Sequence, residues 1–136
     1  MDQCIFCRIL KNEIPSATVY EDDKFRAIMD IGPVAKGHVL LLAKEHTANL
    51  LEADDNLLSA ALPAVKRIAN AVKKTVGCDG INVLQNNGEA AGQTVFRLHI
   101  HVIPRYKEDG VKLPPPLASY ADGEAAELAE RIAENL

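Results

Sequence analysis

The sequence predicts an α+β domain: an antiparallel sheet of about five strands with helices packed on it. Three observations carry this. Strand-forming runs fall into an early group, Ala17 to Ala43, and a late group, Ile81 to Ile103. A long stretch of helical periodicity separates the groups. Short turn signals link the strand pairs, so neighbouring strands are expected to run antiparallel.

The elements follow in order. Ile5 to Leu10 is short and apolar and predicts a brief helix. Ala17 to Tyr20 and Phe25 to Asp30 are rich in strand formers, and Glu21-Asp22-Asp23-Lys24 between them reads as a hairpin turn. Gly32-Pro33 breaks the chain. His38 to Ala43 is nearly all apolar, as in a central strand buried on both faces. Leu58, Leu62, Val65, Ile68, Val72 and Val76 step by three or four residues, which predicts an amphipathic helix from Asp55 to Gly77. Asp54 or Asp55 can cap its start and Gly77 its end. Pro63 inside this pattern signals either a kink or a later start. Ile81 to Leu84 and Val95 to Ile103 are the late strands, with Asn86-Asn87-Gly88 and Ala91-Gly92-Gln93 in the loop between them. Lys107 to Pro116 reads as loop, stiffened by Pro114-Pro115-Pro116. Ala125, Leu128, Ala129 and Ile132 predict a terminal helix over 123–135.

Composition narrows the class. A length of 136 residues fits a single domain, 1–136, large enough to bury its own core. The chain is 48% hydrophobic and 25% charged, an ordinary globular balance. A net charge of −4 argues against a duplex nucleic-acid binder. No apolar run reaches the length of a membrane span, and MDQCIFCRIL turns polar too soon for a secretory signal. Three cysteines do not make a disulfide framework. Cys78 reads as a lone buried thiol. The expectation is a soluble cytoplasmic domain.

The chemistry concentrates in Phe96-Arg97-Leu98-His99-Ile100-His101-Val102-Ile103-Pro104-Arg105. Alternate residues of a strand share a face. Phe96, Leu98, Ile100 and Val102 are then expected in the core, with Arg97, His99 and His101 together on the other face. The two histidines have Cα atoms about 7 Å apart, which suits contacts to different atoms of one phosphate. They could also ligate zinc, but this motif lacks the carboxylate or third histidine expected of such a site. Just before the strand, Gly88 and Gly92 let backbone approach a ligand. The N–H groups of Gly92-Gln93-Thr94 could form an anion-binding nest. Taken together, loop and strand suggest a phosphate held between backbone donors and imidazoles.

The segment GQTVFRLHIHVIPR resembles the His-φ-His-φ-His-φ-φ signature (φ apolar) of the histidine triad, or HIT, family of nucleotide hydrolases and transferases. The resemblance runs from CIFCRI through GHVLLLAKEH to Tyr106, and CIFC and KNEIPSATVYED look most like the bacterial, Hint-like branch. The first histidine of the signature is Arg97 here.

This resemblance implies a HIT-like fold, with the sheet extended across a homodimer that uses the long helix and the strand Ile81 to Leu84. It implies a hydrolase that cleaves purine nucleoside 5′-phosphoramidates through a nucleotidyl-histidine intermediate. His99 would be the nucleophile, its other ring nitrogen held by a backbone carbonyl. His101 and His38 would contact phosphate, and Thr94 would assist the leaving group. Asn86 and the backbone of Gly92-Gln93-Thr94 would hold the phosphate. Asp30 would accept the ribose hydroxyls, while Phe6, Ile9, Ile14 and Ile31 would enclose the base. Two alternatives stay open: a dinucleoside polyphosphate hydrolase, or a nucleotide-binding module with weakened catalysis. No cofactor is required for the chemistry. The resemblance also implies a structural zinc on Cys4, Cys7, His46 and the residue at position 97. Arg97 cannot ligate, because its guanidinium stays protonated. Its charge is expected on the catalytic face, lowering the His99 pKa.

Overall fold

The computed structural model describes residues 4–112 and 115–136. Pro114 of the proline run lies outside them. The elements are α1 (Ile5–Leu10), β1 (Thr18–Glu21), β2 (Phe25–Met29), β3 (Val39–Ala43), α2 (Asp55–Val76), β4 (Gly80–Leu84), β5 (His99–Arg105) and α3 (Glu124–Glu134). All strand pairings are antiparallel, in a five-stranded sheet of order β1-β2-β3-β5-β4. The α+β expectation is met.

The β1–β2 hairpin closes through Asp22, whose Oδ1 accepts from the Lys24 and Phe25 N–H groups at 2.8 and 2.7 Å. In α2, the Asp54 carboxylate accepts the Asn56 N–H at 2.8 Å, and Gly77 ends the helix in left-handed backbone at φ 66°. The helix runs through Pro63 from a start at Asp55, so the later start is excluded.

The sheet has two unlike faces. On one, α2 lays Leu57, Ala61, Ala64, Val65, Ile68 and Val72 over Phe25, Ala27, Val39, Leu41, Ile100 and Val102. The other face carries Ile28, Leu40 and Leu42, covered by Phe6 and Ile9 of α1. Central β3 is buried on both faces, as its unbroken apolar run predicts.

Four expectations need correction. Leu62 is 67% exposed, because the buried stripe of α2 runs through Leu57 and Ala61 instead. The late strand begins at His99 rather than Val95. Its partner β3 ends at Ala43, so residues before His99 lack a full ladder and bend. Phe96 accordingly leaves the alternation and is 49% exposed, while Leu98 stays in the core. The late strands are joined by a long loop, 85–98, which holds a short 3₁₀ turn at Glu89–Ala91. The terminal helix forms where expected, but α3 has no buried residue and does not pack on the sheet.

Pro104 continues β5 past the end of β3. It pairs only with Ile81 of β4, where its missing N–H leaves no ladder bond unmade on the β3 side. The space beside it is tight for anything larger than glycine. Gly37 holds φ +102°, and a Cβ there would stand 3.1 Å from Val76 Cγ1 and 3.4 Å from Pro104 Cγ. This turn delivers His38 into the sheet, so its conformation matters to the site. Gly37→Ala is expected to lower stability by about 1–3 kcal/mol, combining backbone strain with the contact. Chemical denaturation of the two proteins checks this, and an unchanged midpoint would contradict it.

Candidate active site

One cleft on the α1 face has a volume of about 410 Å³. Strand β5 sends His99 and His101 into it, because these positions alternate with core residues Ile100 and Val102. The turn at Gly37 brings in His38, and the end of β2 brings in Asp30. The loop 85–98 contributes Asn86, Gly92 and Thr94. Phe6, Ile9, Ile14 and Ile31 complete the wall. Ile31 is 95% exposed and stands at the mouth, so it is not core. Sequence reasoning missed the apolar lining from Ile28, Leu40, Val95 and Ile103. Nothing distinguishes those residues locally from other core positions.

The hydrogen bonds fix which ring nitrogens carry protons. The His99 ring donates from Nδ1 to the Arg97 carbonyl at 2.6 Å. In the neutral ring this leaves a lone pair on Nε2. His38 Nδ1 accepts the Val34 N–H at 3.1 Å, so the neutral His38 carries its hydrogen on Nε2. That nitrogen lies 2.9 Å from His101 Nδ1 and donates to it. His101 is thereby a donor at Nε2. Two backbone groups thus set adjacent imidazoles to opposite roles, one with an open lone pair and one with an open N–H. Phe6 stands edge-on to His99, with ring centroids 4.8 Å apart.

Burial is the leading cause of a lowered pKa at all three histidines. At His101 the neighbouring His99 and His38 add to it, and the value falls to about 4. Asp30 opposes these shifts, with Oδ2 3.5 Å from His38 Nε2. Its Oδ1 accepts the Gly32 N–H at 2.8 Å.

Several expected placements are corrected. The backbone nest is mostly spent within its own loop: the Gly92 N–H donates to Glu89 O and the Gln93 N–H to Gly88 O, closing the 3₁₀ turn. Only the Thr94 N–H stays outside this bonding. Gln93 is buried and does not line the cleft. Its amide braces the loop, donating to Ala48 O at 2.7 Å and accepting the Gly88 N–H at 2.8 Å. The carboxylate and third histidine missing from the motif are supplied from elsewhere in the chain, since Asp30, His38 and His101 cluster within 4.8 Å. The bond between the two imidazoles, however, consumes a lone pair that a metal would need.

Arg97 does not stand on the catalytic face. It is 4% exposed, and its guanidinium turns behind α1. Nη1 contacts Cys7 Sγ at 2.6 Å and approaches His46 Nδ1 at 3.5 Å. Nε donates to Ala43 O at 2.8 Å, and Nη2 donates to Lys44 O. The lowered His99 pKa therefore comes from burial rather than from this charge. Cys4, Cys7 and His46 bring their donor atoms within 4.8 Å of one another beside it. Cys78 is buried, as expected for a lone thiol.

Among the described residues no helix is long and apolar enough to cross a membrane. Residues 11–108 match the HIT domain. The protein named hit of Bacillus subtilis is 48% identical over 110 residues, covering 80% of this chain and 76% of that protein. An adenosine 5′-monophosphoramidase of Candida albicans is 39% identical, over 98% of this chain and 91% of the relative. The crystal structure of a HIT family member from Bacillus subtilis superposes with a TM-score of 0.92 at 41% identity, over 98% and 97% of the two chains. With the histidine-lined cleft built on the same sheet, the chain belongs to the HIT domain family.

Proposed function

We propose that this protein is a nucleotide hydrolase that cleaves purine nucleoside 5′-phosphoramidates through a nucleotidyl-histidine intermediate. The observation that carries the reading is the opposed polarity of the two imidazoles: an open lone pair on His99 Nε2 beside an open N–H on His101 Nε2. The relatives support the substrate class, since one is an adenosine 5′-monophosphoramidase.

His99 Nε2 attacks the α-phosphorus, a phosphorus–nitrogen bond forms to the ring, and the bond to the leaving amine breaks. The amine departs with a proton taken from solvent and relayed through the exposed Thr94 hydroxyl. The His99 Nδ1–H bond to the Arg97 carbonyl steadies the ring as it gains positive charge. Water then attacks the same phosphorus and gives its proton to solvent, the phosphorus–imidazole bond breaks to return neutral His99, and the nucleotide is released. His101 Nε2–H and the Thr94 N–H donate to phosphate oxygens, whose charge grows in each transition state. Asp30 accepts the ribose hydroxyls. Phe6, Ile9, Ile14 and Ile31 hold the purine. The residues present suffice for these steps without a metal or organic cofactor. The same reading includes a homodimer. Strand β4 is a sheet edge carrying exposed Val83 and Leu84, and its open backbone can pair with a second copy.

Two experiments test this reading. Rapid quenching with an adenosine 5′-phosphoramidate, followed by mass spectrometry, should find an adenylyl group on His99. His99→Asn should lower kcat by roughly 10³-fold or more. Tight AMP binding without adduct or turnover would leave only a binding module.

A separate prediction concerns stability and pH. The folded-state pKa of His101, about 4, lies below its ordinary 6.5. Between these values the unfolded chain binds a proton that the folded chain refuses, so stability rises with pH across the window and is lost on acidification. His38 and His99 act in the same direction. Thermal melts between about pH 7 and about pH 4.5 should show this slope. His101→Asn should make it shallower, and an unaltered slope would refute the contribution assigned to His101.

A further inference from the structure

We propose that Arg97 takes the place of a structural metal: its guanidinium is a built-in cation that closes the Cys4–Cys7–His46 cluster and seats α1 on the sheet. Three of the four corners are ordinary zinc donors, two of them with Cys-x-x-Cys spacing. The Cys7 Sγ to His46 Nδ1 distance of 3.5 Å is the edge of a tetrahedral site. Arg97 Nη1 stands 3.5 Å from that imidazole nitrogen and against that sulfur, so the guanidinium fills the space beside the three donors.

A guanidinium nitrogen there has no lone pair to give. An ion bonded to the other three donors would stand against this guanidinium, with both charges positive. The side chain is not free to swing aside. It is buried and tied to the carbonyls of Ala43 and Lys44. Among the described residues no carboxylate forms a salt bridge with it. Its partners are the cluster and those two carbonyls, which makes the cluster its counterpart rather than a neighbour.

The consequence is mechanical. α1 is only six residues long and cannot hold itself in place by its own helical bonds. It is held from two sides by arginines. Arg26 Nη1 donates to the Ile9 carbonyl at 3.0 Å, and Arg97 reaches Cys7. Phe6 and Ile9 of this helix wall the cleft, and Phe6 touches His99. Arg97 is therefore a positioning residue that acts through α1. Its backbone carbonyl orients His99 separately, and a side-chain substitution leaves that carbonyl in place.

The test measures metal content, thermal melting with and without a chelator, and hydrogen exchange of the α1 amides. The chain as it stands should purify without stoichiometric zinc, and a chelator should not shift its Tm. Arg97→His should acquire stoichiometric zinc, and its Tm should fall on chelation. Arg97→Met should speed exchange at Phe6 to Leu10 beyond any change in β3, and zinc should not reverse it. Stoichiometric zinc in the unaltered protein, with a Tm lowered by chelation, would overturn the proposal. So would a folded Arg97→His that refuses zinc, or a folded Arg97→Met whose α1 exchanges as before. Should a variant fail to fold, metal content and chelation of the unaltered protein still decide the matter. None of these readouts depends on turnover, so they stand or fall apart from the hydrolase reading.

Discussion

The site depends on the two-residue period of β5, held between neighbours on both sides. β3 pairs with it from His99 to Val102 and β4 from His101 to Arg105, so its register is held from both sides. Ile100 and Val102 lock into the core beneath α2, and that obliges His99 and His101 to face the cleft together. A shift by one residue would exchange the imidazoles for aliphatic side chains. The same rigidity places the Arg97 carbonyl at the ring of His99. The core thus does the aiming, and the imidazoles pay for it in desolvation.

That desolvation serves the chemistry. A histidine held neutral has a lone pair to use, and burial lowers the His99 pKa, which favours the neutral ring. Neutral rings have one donor and one acceptor each, so their roles follow from whichever backbone group each one meets. Val34 and the Arg97 carbonyl make opposite choices, and the neighbouring imidazoles end with opposite faces toward the ligand. The cleft offers uncharged donors, with no lysine or arginine among its described lining residues. Two arginines lie behind that cleft instead, where they hold the wall in position.

Much of this was legible in the chain. Alternation in HIHV placed the histidines on one face, and the spacing of Ile5 to Leu10 marked α1. The limits of α2 could be read from Asp54 and Gly77, because caps act locally. Reading failed where bonding or packing partners, near or far along the chain, decided the outcome. The Val95 end of the late strand lost its ladder because β3 stops at Ala43. The loop N–H groups that looked ready for an anion were taken by a 3₁₀ turn. Leu62 continued the helical period but met no surface to cover it.

Local pattern and motif determined the fold class, the paired imidazoles and the family, since each rests on spacings within a few residues or on a continuous signature. Tertiary structure alone decided what Arg97 does. As a strand residue it belongs beside His99, with its charge on the reacting face. The bend before β5 turns it behind α1 instead, where Cys7 of α1 meets Ala43, Lys44 and His46 at the end of β3. A buried cation settles where acceptors can surround it, and no spacing within a single segment reveals where those acceptors will meet.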